Sequence, residues 1–336
     1  MIRAVDRATV NVYEEHARSR RERRPIVAPD LGAPVVGLDA ARAMLELARE
    51  AVPDAWLVEA DLEALPFRTQ SLAGAWARAG YLHVSRGDLP AALADLHHAL
   101  EVGAPAMFDF GRGDDEGLLA SDDFPGGFFA EWEPEPLAEV IAGAGFEVEE
   151  CAIETAGREW VRVRATRVRT LPDHVGPGMR LLVCGLNPSL YAADAGVGYA
   201  RPGNRFWPAA LRAGLVTRDR DPRHALARHG VGMTDLVKRA TTSANELTRA
   251  EYRDGARRVE RLVRWLRPRA VCFVGLTGWR MALDPKAVVG EQPGDFGGAP
   301  AYVMPNTSGI NAHASHDDLV QHLRAAAALA DQSPAI

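Results

Sequence analysis

Cysteine is scarce. Cys151, Cys184 and Cys272 are the only three in 336 residues. An odd number, widely spaced and without a Cys-x-x-Cys pair, excludes a disulfide framework and offers no zinc or iron–sulfur ligand set. Lysine is nearly absent, at 238 and 286 alone, so the basic residues are almost all arginine. No apolar run approaches the roughly 20 residues needed to span a bilayer. The first 24 residues are charged and interrupted by Asp6, Glu14, Glu15 and Glu22. That is no secretory leader, and a cytoplasmic protein without a membrane partner is expected. What remains is ordinary: 47% hydrophobic and 25% charged residues rule out disorder, collagen and coiled coil for the whole chain. At roughly 150 residues per domain, the length points to two domains.

Charge divides unevenly between them. Up to His174 there are 18 Arg and no Lys against 31 Asp and Glu, a net of −13. The remainder carries 21 basic against 14 acidic residues, a net of +7. A polyanion ligand is therefore to be sought on the C-terminal side.

Residues 25–170 alternate strand and helix patterns: a strand at 35–39, a helix over 40–51, a strand from 56, a helix over 89–100, a strand at 105–110 and a helix over 136–144. The pair His97-His98 reads as surface on its helix, without metal spacing. Pro172, Gly176, Pro177 and Gly178 mark a linker at 171–178. The alternation then restarts, with strands at 180–186, 270–275 and 301–304. Helices follow at 204–213, with Asn204 as N-cap, and at 249–266 and 316–330. The predicted architecture is two tandem three-layer α/β/α domains with mainly parallel sheets, at 25–170 and 179–330, after a charged segment at 1–24.

Two C-terminal strands run directly into polar turns, at Asn187-Pro188-Ser189 and at Pro305-Asn306-Thr307-Ser308-Gly309. Each alone is common loop punctuation. Together they are more informative, because ligands of open α/β sheets bind outside the carboxyl ends of strands.

Four blocks in order, 184–189 (CGLNPS), 198–207 (GYARPGNRFW), 232–239 (GMTDLVKR) and 304–309 (MPNTSG), resemble the mismatch-specific uracil/thymine-DNA glycosylase family. The resemblance implies a uracil-DNA-glycosylase-like fold that acts on double-stranded DNA carrying a mismatched or damaged pyrimidine, as a monomer and without a required cofactor or metal. It implies that Asn187 positions the attacking water, with Asn306 as the second catalytic residue. Leu186, Tyr199 and Ser308 would bind the flipped base, Tyr199 by stacking. Gly309, Ile310, Asn311 and His313 would form the loop entering the minor groove, with Ile310 as either the wedge or a buried loop residue. Lys238, beside Arg239, would meet a phosphate or lie solvated. The loop departs from the family where relatives carry Arg, and Asp235 stands where some relatives have Lys. No carboxylate occurs within the Gly-Leu-Asn-Pro turn, so a slow enzyme relying on positioning is expected.

In the N-terminal domain, 35–44 (VVGLDAARAM), 59–67 (EADLEALPF) and 144–148 (AGFEV) resemble class I S-adenosylmethionine-dependent methyltransferases. The resemblance implies that Asp39 binds ribose hydroxyls and that Asp61 and Leu62 lie against adenine. The family's glycine-rich turn is missing. The only candidate, 25–32, stands too close to Val35 for the crossover of a dozen residues that parallel strands need. A truncated Rossmann domain with impaired or no S-adenosylmethionine binding is expected. Two other functions compete with base excision: a methyltransferase that the C-terminal domain targets to nucleic acid, and a non-catalytic lesion binder.

Overall fold

The computed structural model describes residues 7–23, 34–118, 126–309, 311 and 313–333. The chain divides into two units, one of 2–138 with 148–166, the other of 139–147 with the chain from 167 onward. Among the described residues no helix is long and apolar enough to cross a membrane.

In the first unit α1 (Arg7–Arg23) precedes β1 (Val36–Asp39), α2 (Arg42–Ala51), β2 (Trp56–Glu59), β3 (Ala75–Arg78), α3 (Leu89–Ala99) and β4 (Pro105–Gly111). A short antiparallel pair, β5 (Glu116–Leu118) with β6 (Phe128–Ala130), comes next. Then follow α4 (Pro134–Gly143), β7 (Phe146–Ala156) and β8 (Arg158–Arg167). His97 is fully buried, contrary to expectation, because α3 is apolar on almost every side.

Two sheets result: β1 pairs β2 in parallel, and β3, β4, β8 and β7 lie side by side in that order. A doubly wound sheet, numbered from its first strand, runs 3-2-1-4-5. Taking β1 to β4 as strands 2 to 5 reproduces both sheets, with the position of strand 1 between them. Among the described residues no strand joins the two. The stretch 25–32 lies outside the described residues.

The second unit contains β9 (Leu181–Gly185), α5 (Leu190–Ala195), α6 (Phe206–Ala213), α7 (Pro222–His229), β10 (Val231–Asp235), α8 (Arg249–Leu266), β11 (Val271–Val274), α9 (Leu276–Ala282), β12 (Gly290–Phe296), β13 (Ala299–Met304) and α10 (His316–Gln332). Its sheet runs β10-β9-β11-β13-β12, with every pairing parallel except that of β12. Strand β9 is buried throughout and sends its side chains alternately to two cores. Leu181 and Val183 pack with Phe206, Trp207, Leu319 and Leu323, whereas Leu182 and Cys184 pack with Val259, Val263 and Trp279. Helices thus cover both faces, as near-continuous apolar strands require.

The helix starts follow their capping residues. Thr248 with Glu251 and Ser315 with Asp318 form capping boxes at α8 and α10. At α6 the N-cap residue is Arg205, without a side-chain cap, and not Asn204 as expected; Asn204 stands one residue earlier, its Oδ1 accepting from Phe206 N at 2.9 Å.

Strand β10 was not legible as a strand, because Gly232 and Thr234 interrupt its apolar pattern. Gly232 is there for space: a Cβ would lie 2.1 Å from Met179 Sδ. The stretch 171–178, read as a linker, is buried from 171 to 176. His174 exchanges both backbone hydrogen bonds with Met233, at 2.9 and 2.8 Å, and so adds to the free edge of β10.

Candidate active site

The chains leaving β9 and β10 stay paired beyond the sheet. Leu236 N donates to Gly185 O at 2.8 Å, Val237 N to Leu186 O at 2.9 Å, and Thr241 N to Pro188 O at 3.1 Å. This zipper fixes Asn187, whose Nδ2 donates to Pro188 O (3.1 Å), Arg239 O (3.0 Å) and Thr241 Oγ1 (2.8 Å). Three acceptors on one side determine which amide atom is nitrogen. Oδ1 is left as an acceptor without a protein donor among the described residues. Ser189 then caps α5, accepting from Ala192 N at 3.1 Å. Leu186 is half-buried and beds against α9, where a Cβ on Gly278 would lie 2.7 Å from its Cδ1.

Asp235 ends β10 directly beside Gly185. A Cβ on Gly185 would lie 2.3 Å from Asp235 Oδ1 and 3.0 Å from Tyr199 Oη. The carboxyl and the phenol therefore share the space above that glycine, which no other residue could leave open. Among the described residues no donor reaches the Asp235 carboxyl. Burial pushes its pKa up to about 6, Lys238 and Arg258 pull it down, and Asp173 pushes it up. Burial, then the charge of Asp235, holds the Tyr199 phenol well above its usual range, so Tyr199 stays neutral. A carboxylate that titrates near neutrality suits proton abstraction.

Tyr199 is held in the left-handed backbone region (φ 60°). One face of its ring is stacked on Phe206, with centroids 4.2 Å apart and planes 20° apart. Phe206 thus covers one face of the ring.

The loop after β13 is clasped by the segment before α6. Arg205 N donates to Thr307 O at 2.9 Å. The Arg205 guanidinium donates to Ala314 O (2.6 Å), Asn311 O (2.8 Å) and Ser308 O (3.2 Å). Gly309 rests on Gly203, where a Cβ would meet the Gly203 carbonyl at 2.6 Å. Asn306 Oδ1 accepts from Ser308 N (2.8 Å), and Asn311 donates to Asn306 O (2.7 Å) while accepting from His313 N (3.1 Å). Asn311 therefore uses both ends of its amide inside the loop. Gly309 and His313 are exposed, Ser308 is half-buried, and Ile310 lies outside the described residues.

Lys238 departs from the expected surface position. It faces inward, its Nζ donating to Asp173 Oδ1 at 2.8 Å and to Leu171 O at 2.5 Å. With 17% of its side chain exposed, it meets neither solvent nor phosphate as expected. Its neighbour Arg239 is exposed and paired with Glu251.

The sequence reading set Asp235 aside and missed the part played by Arg205. The rule that found Asn187 and Asn306, a polar residue ending a strand, also finds Asp235 once β10 is known.

In the first unit Asp39 ends β1 and turns its Oδ1 back to Ala41 N at 2.8 Å. Burial pushes its pKa up to about 6. Glu14 of α1 accepts from the first amides of α2, Arg42 N and Ala43 N, the latter at 3.0 Å. Asp61 Oδ1 accepts from Glu63 N at 2.8 Å, and Leu62 packs on Gly80. Among the described residues no cluster of metal-ligating side chains occurs.

Residues 172–329 match the family model of the uracil DNA glycosylase superfamily, and residues 26–103 that of a methyltransferase domain. Similar solved structures include an S-adenosylmethionine-dependent methyltransferase from Methanosarcina mazei, 15% identical, covering 40% of this chain and 82% of that one, with a TM-score of 0.36. One from Mesorhizobium loti is 19% identical over 40% and 80%, TM-score 0.33. The 1,6-didemethyltoxoflavin-N1-methyltransferase of Burkholderia thailandensis is 18% identical over 50% and 92%, TM-score 0.37. The protein thus carries a domain of the uracil DNA glycosylase superfamily in its C-terminal half, joined to an N-terminal methyltransferase domain.

Proposed function

We propose that the C-terminal domain is a base-excision DNA glycosylase that hydrolyses the N-glycosidic bond of uracil mispaired with guanine, acting as a monomer on duplex DNA. The observation that carries this reading is the pair at adjacent strand ends: the free Oδ1 of Asn187 and the donor-free carboxyl of Asp235. Asn187 Oδ1 accepts a hydrogen bond from a water and orients it toward C1′ of the flipped nucleotide. Asp235 takes that water's proton as its oxygen bonds to C1′ and the C1′–N1 pair leaves with uracil as the anion. Tyr199, backed by Phe206, offers one ring face to the base, a contact worth ~1–3 kcal/mol. A mispaired base is less costly to extrude, which favours G·U over paired substrates.

The test is a labelled duplex holding one G·U pair, beside A·U, G·T and fully paired controls, with alkali cleavage of abasic sites. Scission at G·U is expected. Folded protein that cuts none of them would leave a lesion binder or an enzyme of altered specificity. Asn187→Ala should lower turnover on the order of 10²-fold while duplex binding is retained; parallel loss of both would make Asn187 structural.

The first unit does not fit S-adenosylmethionine. Asp39 Oδ1 is tied to its own turn and Glu14 occupies the leading amides of α2. Isothermal titration of the whole protein with S-adenosylmethionine should give no binding heat. Heat that disappears in Asp39→Ala would overturn this reading.

A further inference from the structure

Three charged groups lie buried behind Asp235, and the hydrolysis just described assigns them no role. Asp173 has 3% of its side chain exposed, Arg258 16% and Lys238 17%. Arg258 donates to Asp173 Oδ2 (2.7 Å), to Thr234 Oγ1 (2.9 Å) and to the backbone carbonyl of Asp235 itself (2.6 Å). Thr234 in turn donates to Asp173 Oδ1 at 2.7 Å, the oxygen that also accepts from Lys238 Nζ. Thr170, from the same strip as Asp173, donates to Lys238 O.

The network thus grips the chain on both sides of Asp235: at Thr234, at the Asp235 carbonyl and at Lys238. Buried charges persist only when paired. Here one carboxylate stands against two cations, so a net positive charge remains close to the Asp235 carboxyl. The other titratable groups facing it are the Tyr199 phenol, which stays neutral, and the Cys184 thiol, which burial pushes well above its usual range. Neither supplies charge at neutral pH, so the balance among Asp173, Arg258 and Lys238 decides the field.

We propose that Asp173 is a positioning residue for base excision, acting through Arg258 and Lys238 to fix the place and the charge state of the Asp235 carboxylate. This rests on Asp235 being the base. The role reaches into 171–175, a strip that reads in the sequence as linker. Removing Asp173 takes a negative charge from beside Asp235 and makes it the stronger acid. Removing the Lys238 cation does the reverse.

The pH dependence of single-turnover excision from a G·U duplex, measured with the full chain, tests this. The wild type should lose activity as the pH falls through about 6. In Lys238→Met that acid limb should move to higher pH, and in Asp173→Asn to lower pH, each by about half a unit or more. Lys238→Arg, which keeps the charge, should hold the limb near its wild-type position. The double variant Asp173→Asn/Lys238→Met should bring it back toward wild type. A misfolded or loosened domain would lower the rate without moving the two limbs in opposite directions. Limbs that stay put, or move together, overturn the positioning role while leaving Asp235 as base. A wild type with no limb near pH 6, or Asp235→Asn with full turnover, instead sinks the base assignment beneath it.

Discussion

Replacing Asp235 with Asn should lower single-turnover excision of uracil from a G·U duplex by about 10²–10⁴-fold, the usual contribution of a positioned base. The acid limb should vanish with it. The substitution is nearly isosteric, so Gly185, Tyr199 and the β9–β10 zipper keep their places and duplex binding should be unaltered. What is lost is the proton acceptor. Asn187 remains, but a neutral amide orients water without taking its proton. The residual rate measures what orientation and base flipping achieve alone. Wild-type turnover in Asp235→Asn, measured at saturating enzyme, would remove the base from the mechanism and return it to an amide-positioned water.

Arg205→Met should separate duplex from single-stranded substrate. Its guanidinium holds three carbonyls of the loop after β13, those of Ser308, Asn311 and Ala314. Hydrogen bonds from a charged donor contribute about 1.5–3 kcal/mol each and are not additive. Losing the set should therefore cost duplex excision about 30-fold or more. If this loop fills the place of the flipped nucleotide, as the proposed function requires, the described carbonyls of Ser308, Asn311 and Ala314 would no longer be held in advance. A single strand has no stack to fill, so excision from it should fall far less. Lys at this position should not rescue, because a point charge cannot reproduce a planar fork over three acceptors. Equal losses on both substrates would show that Arg205 supports the fold and not the invading loop.

Legibility in the sequence followed range. The strand-end rule marked Asn187 and Asn306, since an apolar run and the polar turn after it are read within ten residues. It passed over Asp235 because Gly232 and Thr234 disguise β10, and the reason for Gly232 is a neighbour, Met179, that only the fold supplies. Lys238 could be read as surface because its partner lies 65 residues upstream in a Pro- and Gly-rich stretch. Arg205 could be read as structural, yet its acceptors are more than 100 residues away, in carbonyls that no residue type announces. In the N-terminal domain the expectation of a missing first strand falls on 25–32, which lie outside the described residues.

Pro177 and Gly178 are exposed, while the five residues 171–175 are buried along β10. A protease reaching that turn would cut the chain without releasing the strip, which would stay in its groove as a bound peptide held by His174 and Asp173. The boundary that is easiest to cut is therefore not the boundary of the domain. A gene segment that began after it would encode every strand of the C-terminal sheet and still leave behind the carboxylate that neutralises Lys238 and Arg258. Shuffled as a unit between proteins, this domain has to travel with the stretch that looks like its tether.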